Sequence, residues 1–118
     1  MVIKLKRAYE EPSSEDGIRV LVDRMWPRGV SKEKLNLHFW MKEVTPSKEL
    51  CKWFNNEPAK FDEFASQYKA ELGEEQLKEL VILITENTQD VTLVYGAKDE
   101  KYNQAVVLKE VLEQKCSL

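Results

Sequence analysis

The sequence predicts a single three-layer, Rossmann-like α/β domain over residues 1–118, with a short, mostly parallel sheet flanked by helices. Three observations lead there. Residues 18–22 are apolar on both strand faces apart from Arg19, and 91–95 form a compact β-branched run between turn residues, as expected of strands covered from above and below. Between these runs lie segments whose apolar residues recur at three- and four-residue steps. The order strand, helices, strand, helix supplies the crossovers that parallel pairing needs.

The elements follow in chain order. Val2, Ile3 and Leu5 among lysines make a first short strand that ends near Arg7, followed by the polar turn cluster 10–17. The second strand, 18–22, is expected to be central. Residues 31–38 carry a short helical turn at best, and 40–44 a brief extended segment. Thr45-Pro46-Ser47 offers an N-cap and a proline at the first helical position, opening a helix that stops near Asn55 and presents Leu50, Cys51 and Phe54 on one face. Pro58 begins the clearest helix, with Phe61, Phe64, Ala65, Tyr68 and Leu72 in register and Gly73 at its end. Residues 74–87 repeat the pattern through Leu77, Leu80, Val81 and Ile84, with acids leading. The last helix spans about 102–115, with Leu108, Val111 and Leu112 inward.

Composition removes several classes of function. The chain is 42% hydrophobic and 33% charged, too apolar for intrinsic disorder. A net charge of −3 argues against a general nucleic-acid coat, although Lys4, Lys6, Arg7, Arg24 and Arg28 crowd the first quarter. Cys51 and Cys116 show no metal or redox spacing and suit a reducing cytoplasm, where Cys51 reads as an inert thiol on an apolar helix face. The single His38 does not support a metal site. The start lacks the apolar core of a signal peptide, and no apolar run is long enough to span a bilayer, so no membrane partner is expected.

Chemistry concentrates where 18–22 ends in Asp23, Arg24, Trp26, Pro27 and Arg28. In open parallel sheets ligands gather beyond the carboxyl ends of the strands. Arg7 and Tyr9 follow the first strand, and Tyr95, Gly96 and Lys98 follow the last; if these strands are parallel neighbours, the sets meet at one rim. Arginine forks grip phosphate or carboxylate oxygens, and the Trp26 and Tyr rings offer faces for a planar group. Asp23 is the one evident base; beside Arg24 it is expected to stay ionised, which suits orienting a ligand better than accepting a proton. Asn103 and Gln104 open the last helix, where amides can face an anion, although capping explains Asn103 more simply. Trp40, Trp53 and Phe54 read as core or helix contacts.

No Gly-x-Gly-x-x-Gly, P-loop, Gly-x-Ser-x-Gly or paired-histidine metal motif occurs, so nicotinamide chemistry, Walker-type nucleotide hydrolysis, serine hydrolysis and zinc catalysis lose their usual sequence support, and the sequence names no cofactor either way. The leading expectation is a site for a small anionic ligand, such as a nucleotide, a phosphorylated metabolite or a nucleic-acid end. A second is an enzyme in which Asp23 acts as base or orienting group while Arg24 and Arg28 stabilise negative charge. A third is a structural or protein-interaction module in which Asp23 pairs with Arg24 or Arg28 to close a loop and Trp26-Pro27 forms a packed lid.

Residues 19–29, with 42–47, Trp53-Phe54, 64–72, 95–98 and 103–108, resemble the YeaO-like family of small bacterial proteins, a domain family of unknown function. The resemblance spans essentially the whole chain, and its Asp-Arg-x-Trp-Pro-Arg-Gly signature is specific. It implies the fold and little mechanism. Many members of that family carry Arg at the position of Cys51 and His at that of Asn56, and often His at that of Gln104. A thiol and two amides there lack an anion clamp and both proton-transfer groups. If better-equipped members are enzymes, the resemblance implies that this chain binds without turnover.

Overall fold

A computed structural model describes residues 2–118. Its four strands are β1 (Ile3–Arg7), β2 (Ile18–Leu21), β3 (Phe39–Trp40) and β4 (Val91–Tyr95), all parallel and ordered β1-β4-β2-β3. The last strand in sequence thus lies between the first two. Ile3 pairs with Val91 and Arg7 with Tyr95 across β1 and β4, while Leu21 faces both Val94 and Trp40. Because every strand points the same way, the segments after Arg7, Leu21, Trp40 and Tyr95 emerge at one edge of the sheet.

The helices are α1 (Lys32–Leu35), α2 (Lys48–Phe54), α3 (Phe61–Glu71), α4 (Glu74–Glu86) and α5 (Gln104–Lys115). They cover the two sheet faces unequally. Ile18, Val20 and Val22, with Val91, Leu93 and Tyr95, join the main core with Leu50, Phe64, Leu80 and Leu108 from α2 to α5. The alternate positions Leu21 and Val94 meet Ala8, Val30 and Leu35 in a smaller cluster under α1 and its loops. Strand period two accounts for this division. Arg19 also points to the thinner side and is 1% exposed. Its guanidinium donates to Asp16 at 2.7 Å and to the carbonyls of Leu35 and Asn36, so the apparent break in an apolar strand is a buried, fully bonded pair.

Local chemistry sets the helix ends. Ser47, not Thr45, caps α2: its Oγ accepts the Leu50 amide at 3.1 Å, and Pro46 stays outside the helix. Thr45 instead closes the preceding turn by donating to the Lys42 carbonyl. Asn55 ends α2 in the left-handed region at φ 47°, and Asn103 caps α5 by accepting from Val106. At α3 the rings of Phe54 and Phe64 stack with centroids 4.2 Å apart, and the Tyr68 hydroxyl donates to the Val44 carbonyl. Among the described residues no helix is long and apolar enough to cross a membrane.

Candidate functional site

At the shared edge, Asp23 is the junction. It directly follows the Val22 amide, which still bonds to the Val94 carbonyl and so carries β2 past its last ladder residue. One carboxylate oxygen accepts the Gly96 amide at 2.8 Å, and the other accepts the Gln104 side-chain amide. Asp23 therefore ties β2 to the exit of β4 and to the first residue of α5. Its carbonyl accepts the Trp40 indole N–H at 2.7 Å, adding the end of β3.

The Asp23 carboxyl is raised rather than lowered, yet it stays mostly ionised at pH 7. Burial pushes its carboxyl up to about 6, against the lowering influence of the Gly96 and Gln104 hydrogen bonds. Arg24 does not supply the anticipated counter-charge; it turns away and donates to the Pro46 carbonyl at 2.9 Å. Desolvation wins because both donors to Asp23 are neutral.

Arg24 lies instead on a cleft of about 650 Å³ shared with Lys42, Ser47 and Glu71. Glu71 is held there by the Ser47 amide at 2.7 Å and the Ser47 hydroxyl at 2.6 Å. The Lys42 ammonium sits 4.2 Å from the centre of the Trp40 ring. Cys51, expected to be buried, is exposed beside this cleft, with its thiol toward the Pro46 carbonyl. Partial desolvation and the nearby Glu71 and Asp23 carboxylates raise the thiol, while Arg24 works in the opposite sense.

The other expected residues fall into two groups. Arg7 reaches the Ala97 carbonyl at 2.9 Å and stacks over the Tyr9 ring, whose hydroxyl donates to the Arg28 carbonyl. Lys98 is exposed nearby in sequence, and Trp26 is anchored through its indole N–H to the Val30 carbonyl. Tyr95 and Asn103, in contrast, are buried. Tyr95 belongs to the main core, and Asn103 spends its amide on the Asp99 carbonyl and its oxygen on the Val106 amide. Gln104 is committed to Asp23.

Residues 2–117 match the family described as the inactive DUF488-N3 subclade. The chain belongs to that family. It is 42% identical over 112 residues to the protein named "Uncharacterized protein YeaO" of Escherichia coli strain K12, covering 95% of this chain and 97% of the relative. It is 40% identical over 111 residues to "Uncharacterized protein Rv3073c" of Mycobacterium tuberculosis strain H37Rv, covering 93% and 92%. No solved structure matches the chain significantly.

In this chain of the inactive DUF488-N3 subclade, Trp40, expected as a core or helix contact, is 38% exposed at the rim, and Lys42, Ser47 and Glu71 join it although the sequence assigned them no ligand role. Each lies near the strand-end rim through β3 or the segments after it. Their signal was present but local: the brief extended segment expected after residue 39 is where Trp40 pairs with Leu21, and pairing carries Lys42 to the rim.

Proposed function

We propose that this chain binds a small anionic ligand at the C-terminal edge of its sheet and does not transform it. One observation carries the reading. Among the described residues, the charged groups of Arg7, Arg24, Arg28, Lys42 and Lys98 at the strand exits form no ion pair within 4 Å, whereas Lys4, Lys6 and Arg19 in the strands are each paired with Asp90 or Asp16. Cations without a carboxylate partner, two of which, Arg24 and Lys42, line the cleft, favour oxyanions, which they grip by charge-assisted hydrogen bonds. Nucleotides, phosphorylated metabolites and nucleic-acid ends all present such groups. Two free thiols are in keeping with a cytoplasmic protein.

Absence of turnover is supported by Asp23. Both of its oxygens already accept a hydrogen bond, from Gly96 and Gln104, which gives the carboxylate a positioning task at the rim that needs no proton transfer. The description of the family as inactive agrees with that role. The enzyme reading draws on a different fact, a half-buried carboxyl with its pKa near 6, as a general base has.

Thermal unfolding of the parent, Arg24→Ala, Lys42→Ala and the control Lys115→Ala, at the far end of α5 from Gln104, across nucleotides, sugar phosphates and short oligonucleotides, tests the proposal. A ligand at 100 times its Kd adds about 2.7 kcal/mol, several degrees for a domain of this size. A shift lost in the two rim variants and kept in the control supports the site. An equal shift in all four, or none, removes it; product formation abolished by Asp23→Asn makes the protein an enzyme.

A further inference from the structure

We propose that the cleft between α1 and β3 is a stacking site for a purine or pyrimidine ring, which makes the anionic ligand a nucleotide; the phosphate half of this assignment rests on the function proposed above. The cleft measures about 290 Å³ and is walled by Trp26, Phe39 and Trp40, with Lys32, Asn36 and His38 also lining it. The three rings are 36%, 43% and 38% exposed, an unusual amount of aromatic surface to leave in water.

These rings are fixed in place. Trp26 and Trp40 meet edge to face with centroids 5.5 Å apart. Both indole N–H groups are already bonded at 2.7 Å, to the Val30 and Asp23 carbonyls. Their polar ends are satisfied inside the protein, so what remains exposed is hydrocarbon and π surface, apart from the side of Trp40 that Lys42 covers. A pre-set aromatic wall loses little freedom when a flat ring lies against it.

The polar members select what kind of flat ring. His38 accepts the Arg19 amide on Nδ1 at 3.0 Å, which places the proton of the neutral imidazole on Nε2. That N–H, the Asn36 amide and the Lys32 ammonium bond to no other protein side chain among the described residues. A nucleobase combines two apolar faces with an edge of ring nitrogens and carbonyl oxygens that accept such donors. An aliphatic or benzenoid group lacks that edge.

Trp40 also joins this cleft to the cations. Lys42 covers the Trp40 ring and lines the larger cleft with Arg24. A base against Trp40 therefore has its attached phosphate near Lys42, which opens onto the larger cleft that Arg24 also lines.

Tryptophan fluorescence titrations with adenosine, uridine, their 5′-monophosphates and ribose 5-phosphate separate the two halves. The parent is compared with Phe39→Ala and Lys42→Ala, both changes of exposed side chains, with far-UV circular dichroism confirming the fold. Saturable quenching by at least one nucleoside is expected, weakened about tenfold in Phe39→Ala, with tighter binding of the monophosphate that is lost in Lys42→Ala. Nucleoside binding unchanged in folded Phe39→Ala, or absent up to the solubility limit, overturns the ring site. Ribose 5-phosphate binding as tightly as the nucleotides also overturns it and leaves the anion site standing. Nucleosides that bind as tightly as their monophosphates uphold the ring site and remove the anion site.

Discussion

The Gln104 side-chain amide donates to the carboxylate of Asp23, 81 residues earlier in the chain. With the Gly96 amide on the other oxygen, this bond closes the exits of β2 and β4 against the start of α5. Gln104→Ala leaves one oxygen of a half-buried carboxylate without its donor. The expected cost is about 1–2 kcal/mol in urea unfolding. Because the Gln104 bond lowers the Asp23 pKa, its loss also moves that pKa above the parent value of about 6. Carboxyl-carbon NMR titration reads this directly, and an unmoved pKa would show that the bond does not form.

Asp23 also sets a pH dependence of stability. Its folded pKa of about 6 exceeds the unfolded value of 3.8, so the folded state holds the proton more tightly. The associated stability is present below pH 3.8 and is lost as pH rises through 6. A shift of this size corresponds to roughly 3 kcal/mol. Asp16 and Asp90 are shifted the opposite way, so their contributions are lost on acidification below the same 3.8 and do not overlap the window. Asp23→Asn retains an acceptor for Gly96, and Gln104 can turn its oxygen toward the new amide. Relative to the parent, this variant is expected to gain stability between pH 4.5 and 7, and denaturant unfolding at the two pH values checks the sign.

Gly17 and Gly29 both adopt positive φ, at 65° and 79°, but their surroundings differ. A Cβ at Gly17 would lie 2.1 Å from the Asp90 carbonyl oxygen, the acceptor of the Ile18 amide that starts β2 beside β4. At Gly29 a Cβ meets nothing within 4 Å. Gly29→Ala is expected to cost about 1 kcal/mol, from backbone conformation alone. Gly17→Ala adds a backbone clash and is expected to cost about 3 kcal/mol or more. Thermal unfolding of the pair measures the difference, and equal losses would discount the clash.

Arg19 shows how far a strand pattern can be taken. Its charge in an otherwise apolar run marked it as unusual, yet the partners that make burial tolerable come from elsewhere, Asp16 from the turn before β2 and the carbonyls of Leu35 and Asn36 from the end of α1. Arg19→Ala leaves Asp16 to Lys6 and the Ser13 amide, but it strands the Leu35 and Asn36 carbonyls and empties a buried site, and is expected to destabilise by about 2–4 kcal/mol in urea unfolding. A loss under 1 kcal/mol would mean that water replaces the guanidinium.

The strands and long helices were legible because their signals are local: 91–95 and the 61, 64, 68 spacing carry burial in their own periodicity. Tyr95 was legible too, since period two places it with Val91 and Leu93 in the core, and its terminal position obscured that. The Asp23–Gln104 bond was not, because nothing within either segment records an 81-residue contact. Nor was the exposure of Cys51, which follows from the orientation of a seven-residue helix whose buried side is only Leu50 and Phe54.

That exposure makes Cys51 a reporter on the rim. Its thiol is raised by partial desolvation and by Glu71 and Asp23, while Cys116 is raised by desolvation, opposed by Lys115. Both are therefore expected to react with iodoacetamide more slowly at pH 7 than an unhindered thiol, with rates that climb toward pH 9. An anion held by Arg24 would cover Cys51 and leave Cys116, at the end of α5, untouched. Mass-spectrometric labelling with and without a saturating nucleotide monophosphate should show Cys51 slowed several-fold and Cys116 unchanged. Equal protection of both thiols would point to global stabilisation, and no protection of Cys51 would place the anion away from Arg24.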